Sequence, residues 1–70
     1  MKIAISIRVN GEDRDIKNGA TVVSLLEELG LNSGRVAIER NFAILPRAAW
    51  PETRVQPGDN YEIVQFVGGG

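Results

Sequence analysis

The chain has no cysteine and no histidine. The first absence removes disulfides and thiolate metal sites as props for the fold. The second removes the commonest general base and the commonest metal ligand, so neither Cys–His nor Ser–His machinery can be built here. Aromatics are sparse, with one Trp, one Tyr and two Phe, and proline occurs three times. No charge sign dominates: eight basic and nine acidic residues leave a net charge of −1. With no basic block or stripe to attract a phosphate backbone, nucleic acid is not an expected partner. No apolar run approaches the roughly 18 residues of a membrane span, and the start Met1-Lys2-Ile3-Ala4 has no signal-like apolar region. The expectation is a cytoplasmic domain that is a monomer when free. Seventy residues with 43% hydrophobic side chains suffice for one small core, of marginal stability.

Glycine, in contrast, is concentrated. Three of eight glycines are the last three residues, Gly68, Gly69 and Gly70. At an average usage of about 7%, three in a row at a fixed place arise roughly three times in ten thousand. One reading is a frayed end or a cloning remnant. The other is a probe: a backbone without side chains threads a narrow slot and presents a bare carboxylate. Residues 1–67 form the expected domain and 68–70 a loose tail.

Ile3, Ile5, Ile7 and Val9 alternate with polar or small residues, the pattern of a half-buried strand. Asn10-Gly11 is a strong type I′ hairpin signal. Glu12 to Ile16 returns as a polar strand with Ile16 inward. Thr21 suits an N-cap. Val22, Leu25, Leu26 and Leu29 make one helical stripe of about two and a half turns. Gly30 at C′, with Leu31 folding onto Leu26, predicts a Schellman ending. Arg35 to Arg40 alternates with Val36 and Ile38 inward. Phe42, Ile44 and Leu45 form a second short apolar patch, and Pro46 bars a central strand there. An irregular crossover leads through Trp50-Pro51 to Val55 and the Pro57-Gly58-Asp59 turn. Tyr61 to Val67 is the last strand. The order predicts an α+β domain, a β-grasp roll, in which one main helix packs on one face of a mixed sheet. Its first and last strands are parallel neighbours at the centre.

Few residues suit chemistry. Glu27 and Glu28 are helix neighbours pointing about 100° apart, and so read as a solvated face rather than a carboxylate pair. Asp13 and Asp15 read as a polar edge strand, Arg47 as a surface charge and Trp50 as a plug over the crossover. Gly58-Asp59 is turn chemistry, because no helix follows it to hold a phosphate. The expected catalytic and metal residues are therefore none. In the last strand both faces are apolar. One helix covers one face, so Val64 and Phe66 are expected to be exposed beside the tail, and with Val67 they form a candidate docking surface.

The stretches Val36-Ala37-Ile38-Glu39-Arg40-Asn41, Ile44-Leu45-Pro46-Arg47-Ala48-Ala49-Trp50, Val55-Gln56-Pro57-Gly58-Asp59 and Glu62-Ile63-Val64-Gln65-Phe66-Val67-Gly68-Gly69-Gly70 resemble the ThiS family. These are ubiquitin-like sulfur carriers of thiamine biosynthesis. Val9-Asn10-Gly11-Glu12 and Gly19-Ala20-Thr21 fit as well. Two features depart from the pattern: Phe42 follows Asn41 where a small or polar residue is expected, and the first strand starts early. The resemblance implies a carrier that is not an enzyme and binds no cofactor itself. An E1-like adenylating partner would use ATP and Mg²⁺ to activate the Gly70 carboxylate. A cysteine desulfurase or other persulfide donor would supply sulfur, and thiazole synthase would receive it from the thiocarboxylate. Two alternatives remain open: a carrier of another pathway, like the small subunit of molybdopterin synthase, or a β-grasp interaction module without tail chemistry.

Overall fold

A computed structural model describes residues 3–31 and 33–66. Strand β1 (Ala4–Val9) turns at Asn10-Gly11 into β2 (Glu12–Lys17), and helix α1 (Val22–Glu28) follows. A 3₁₀ turn (Ser33–Arg35) leads to β3 (Val36–Arg40) and the two-residue β4 (Ala43–Ile44). A second 3₁₀ segment (Arg47–Glu52) crosses to β5 (Asn60–Gln65). The sheet order is β2-β1-β5-β3-β4. Among the described residues only β1 and β5 pair in parallel, with Arg8 opposite Asn60 and Val9 opposite Tyr61. This is the expected β-grasp roll, with the first and last strands adjacent at its centre.

Local chemistry accounts for the element ends. Asn10 and Gly11 both have positive φ, 52° and 83°, as a type I′ hairpin requires. Thr21 Oγ1 accepts from the Ser24 N–H at 3.3 Å, an N-cap bond. At the other end the Gly30 N–H donates to Glu27 O and the Leu31 N–H to Leu26 O, at 3.1 and 3.0 Å. With Gly30 at φ 74°, that is the Schellman pair. The helix has seven residues, about two turns rather than two and a half, because Thr21 and Leu29 serve as caps. So short a helix holds only through packing. Its Val22, Leu25 and Leu26 are buried against Ile5, Ile7, Ile16, Val36, Ile38, Tyr61 and Ile63. Burying each such side chain stabilises the fold by about 1.5–3 kcal/mol. The Val22 N–H donates to Thr53 O and the Val55 N–H to Ala20 O, which ties the crossover to the helix start.

Four expectations need correction. Ile3 does not share the buried face of Ile5 and Ile7. It precedes β1 and is exposed, because no described element covers that end of the sheet. The apolar patch at Phe42, Ile44 and Leu45 is split. Leu45 packs on the core, while Phe42 and Ile44 stand in solvent. The last strand begins at Asn60, whose carbonyl accepts from the Asn41 N–H, and ends at Gln65. Finally, the sequence holds a second hairpin. Asn41 and Phe42, at φ 52° and 70°, link Arg40 to its partner Ala43. The bulky Phe42 hides that signal. The expected boundary between Val67 and Gly68 lies outside the described residues.

Candidate docking face and tail base

β5 runs down the middle of the sheet, and its two faces differ. Tyr61 and Ile63 point into the core. Val64 and Phe66 point outward, 58% and 54% exposed, as expected of a strand covered on one side. The register sets Ala37 opposite Val64, Glu39 opposite Glu62, and Ile44 opposite Glu39. Ala37, Glu39, Ile44, Glu62 and Val64 line a shallow groove of about 290 Å³ on this outer face. It is an apolar strip with an acidic rim. Val67, Gly68, Gly69 and Gly70, the remaining expected site residues, lie outside the described residues.

Behind the strip, β5 is held by a buried carboxylate whose importance sequence reading missed. Asp59 is 5% exposed. Its Oδ2 accepts from Tyr61 OH at 2.8 Å, the Gln56 N–H at 2.9 Å and Arg40 Nε at 3.0 Å. Its Oδ1 accepts from Asn41 Nδ2 at 3.1 Å and Arg40 Nη2 at 3.4 Å. Burial pushes the carboxyl pKa up. The hydrogen bonds from Gln56, Asn41, Tyr61 and Arg40 outweigh it and hold Asp59 below the usual carboxylate value. Burial first, then the Asp59 carboxylate, raises the Tyr61 phenol far above its ordinary pKa. One side chain thus joins the Pro57-Gly58 turn, the β3–β4 hairpin and β5. Only the Asp59-x-Tyr61 spacing hinted at this, since Arg40 and Asn41 are 19 and 18 positions away in sequence.

The other candidates are structural. Trp50 is buried, as expected of a plug, and its Nε1 donates to Leu45 O at 3.0 Å. The Arg47 guanidinium lies 4.8 Å from the centre of the Trp50 ring and reaches Val36 O at 3.5 Å, so it braces the crossover. Asp13 pairs with Arg8 at 3.2 Å and Glu28 sits 3.8 Å from Arg14, both in exposed settings worth little energy. Among the described residues no cluster of His, Cys, Asp or Glu is arranged to hold a metal, and no helix is long and apolar enough to cross a membrane.

The model of the ThiS family matches residues 7–70. This chain belongs to the ThiS family. Over 62 residues it is 47% identical to a thiazole synthase of Paramagnetospirillum magneticum, covering 89% of this chain but 19% of that protein. The chain spans about a fifth of the length of the thiazole synthases it matches. The sulfur carrier protein ThiS of Escherichia coli is 33% identical over 66 residues, covering 94% of this chain and 100% of that one. The crystal structure of a thiamine biosynthesis protein (ThiS) from Geobacter metallireducens superposes with a TM-score of 0.80 at 32% identity. It covers 94% of this chain and all of that one. The ThiS match therefore includes the outer strip, the Asp59 cluster and the glycine tail together.

Proposed function

We propose that this chain is a sulfur carrier of thiamine biosynthesis that reacts at the Gly70 carboxylate. The observation that carries the reading is a family match over residues 7–70, which includes the final glycine. An α-carboxyl with a pKa of about 3.5 is ionised at neutral pH and is a poor electrophile, since its leaving group would be oxide. Attack of a Gly70 oxygen on the α-phosphorus of ATP, on an E1-like enzyme with Mg²⁺, releases pyrophosphate and leaves an acyl adenylate. The terminal sulfur of a persulfide then attacks the acyl carbon and expels AMP. Reduction of the resulting acyl disulfide by a thiol frees the thiocarboxylate. Thiazole synthase is the acceptor of that sulfur in this reading, supported by the relatives that bear its name.

The domain's part is delivery. Gly68 and Gly69 give clearance, and three extended residues reach roughly 10 Å. Val64, Phe66 and Val67 give the partner an apolar foothold at the base of the tail. With no His or Cys in the chain, the acid–base groups and the persulfide belong to partner enzymes, and the chain is a co-substrate. The test is growth without thiamine of a strain lacking its own sulfur carrier. This chain restores growth, and the chain without Gly70 does not. Failure of the intact chain there, together with rescue of molybdoenzymes in a strain lacking the molybdopterin synthase carrier, would move it to another sulfur pathway.

A further inference from the structure

β5 has two backbone edges, and they end differently. On the β3 side, the Asn41 N–H donates to Asn60 O and the Phe66 N–H to Arg35 O, each at 2.7 Å. Antiparallel pairing alternates, so Asn60, Glu62, Val64 and Phe66 turn their main-chain groups toward β3. Tyr61, Ile63 and Gln65 turn theirs toward β1. β1 stops at Val9, opposite Tyr61. One residue on, the Asn10 N–H reaches Tyr61 O at 2.8 Å. The Asn10 side chain then acts as a further peptide group. Its Oδ1 accepts from the Ile63 N–H at 2.7 Å and its Nδ2 donates to Ile63 O at 3.2 Å. The next outward pair, the N–H and C=O of Gln65, lies beyond both β1 and the Asn10 amide.

The outer edges of the sheet are guarded. β2 presents Glu12, Asp13, Arg14, Asp15 and Lys17, and β4 is two residues long with Pro46 close behind. Charge, brevity and proline are the usual means of preventing strand pairing. The edge at Gln65 has none of them. It carries an uncharged residue between two exposed apolar ones, Val64 and Phe66. A main-chain pair flanked by apolar side chains is what strand addition uses, the backbone supplying affinity and the alternate side chains specificity.

We propose that the Gln65 edge takes an extended main-chain segment of the adenylating enzyme as an added strand, beside the root of the tail. This rests on the carrier reading above. Such an edge would register the tail by backbone geometry before its carboxylate meets ATP.

The test is Gln65→Pro, assayed as co-substrate in ATP–pyrophosphate exchange by the adenylating enzyme. Proline removes the outward N–H but none of the bonds to β3, and a strand edge tolerates it. The expected result is a KM raised on the order of tenfold, with Gln65→Ala, which keeps the N–H, within about twofold of wild type. Equal KM for wild type and Gln65→Pro overturns strand addition and leaves the carrier reading intact. Equal loss in Gln65→Ala also overturns it, because the side chain then makes the contact. A wild-type chain that supports no exchange at all refutes the carrier reading beneath it. Amide hydrogen exchange on the wild-type complex is independent of any folding defect: the Gln65 amide slows on binding, and unchanged exchange overturns the proposal. A dimer of the free chain that Gln65→Pro abolishes overturns it in favour of a second copy.

Discussion

Replacing Asp59 with Asn tests the cluster that holds the tail-bearing strand. The geometry sets the size of the effect. An amide oxygen at Oδ2 keeps the bonds from Tyr61, Gln56 and Arg40 Nε. An amide nitrogen at Oδ1 then faces two donors, Asn41 Nδ2 and Arg40 Nη2. The charge opposite Arg40, 3.0 Å away and largely buried, disappears as well. Losing hydrogen bonds to a charged group costs about 1.5–3 kcal/mol each, and stranding a buried ion about 3–5. With three bonds retained, the loss is about 2–4 kcal/mol. Total stability for 70 residues is on the order of 4–10 kcal/mol, so much of it goes. Urea unfolding at neutral pH measures the change. The variant also separates the pH dependence. The folded pKa of Asp59 lies below its unfolded value, so its contribution is complete above about pH 4 and is lost as pH falls through the folded pKa. Asp59→Asn therefore has the flatter acid limb. Adding Asn41→Asp restores an acceptor opposite the new amide and recovers part of the loss. A change under about 0.5 kcal/mol, the size of a plain surface substitution, would show that the Asp59 carboxylate does not hold the strand.

Two further predictions concern exposed apolar side chains. Phe42 holds φ 70° while 85% exposed, so Phe42→Gly relieves left-handed strain and gives up little packing. It stabilises the fold by about 0.5–1 kcal/mol, read as a thermal midpoint several degrees higher; a lower midpoint would show that the ring packs. Val64→Ser removes apolar surface from the groove. It costs under about 1 kcal/mol of stability and raises the KM of the adenylating enzyme for the chain without changing kcat; an unchanged KM would remove Val64 from the docking surface.

What was readable in advance follows from how local each signal is. The Asn10-Gly11 turn, the Thr21 cap and the Leu26–Leu31 ending depend on residues within a few positions of each other, and all three form as expected. The central parallel pairing of the first and last strands was expected from the element order, which points to a β-grasp roll with one helix on one sheet. The exposure of Val64 and Phe66 followed from counting covered faces. Non-local pairings were not readable. Asn10 looked like a turn residue, and its second task, pairing with Ile63, spans 53 positions. Asp59 looked like a turn residue for the same reason. Ile3 has the right alternation and the wrong place, since periodicity says which way a side chain points but not whether anything lies over it. The motif Pro46-Arg47-x-x-Trp50 marked the family, yet its side chains brace the crossover.

In the proposed function, sulfur is loaded onto Gly70. The direct measurement is an intact mass, with fragmentation of the C-terminal peptide, after incubation with the adenylating enzyme, ATP, Mg²⁺, a cysteine desulfurase, cysteine and a thiol. The expected result is a gain equal to one oxygen replaced by one sulfur, located on Gly70 and absent from the chain lacking that residue. No gain, with an enzyme shown to load another carrier, or a gain located elsewhere in the chain, would contradict it.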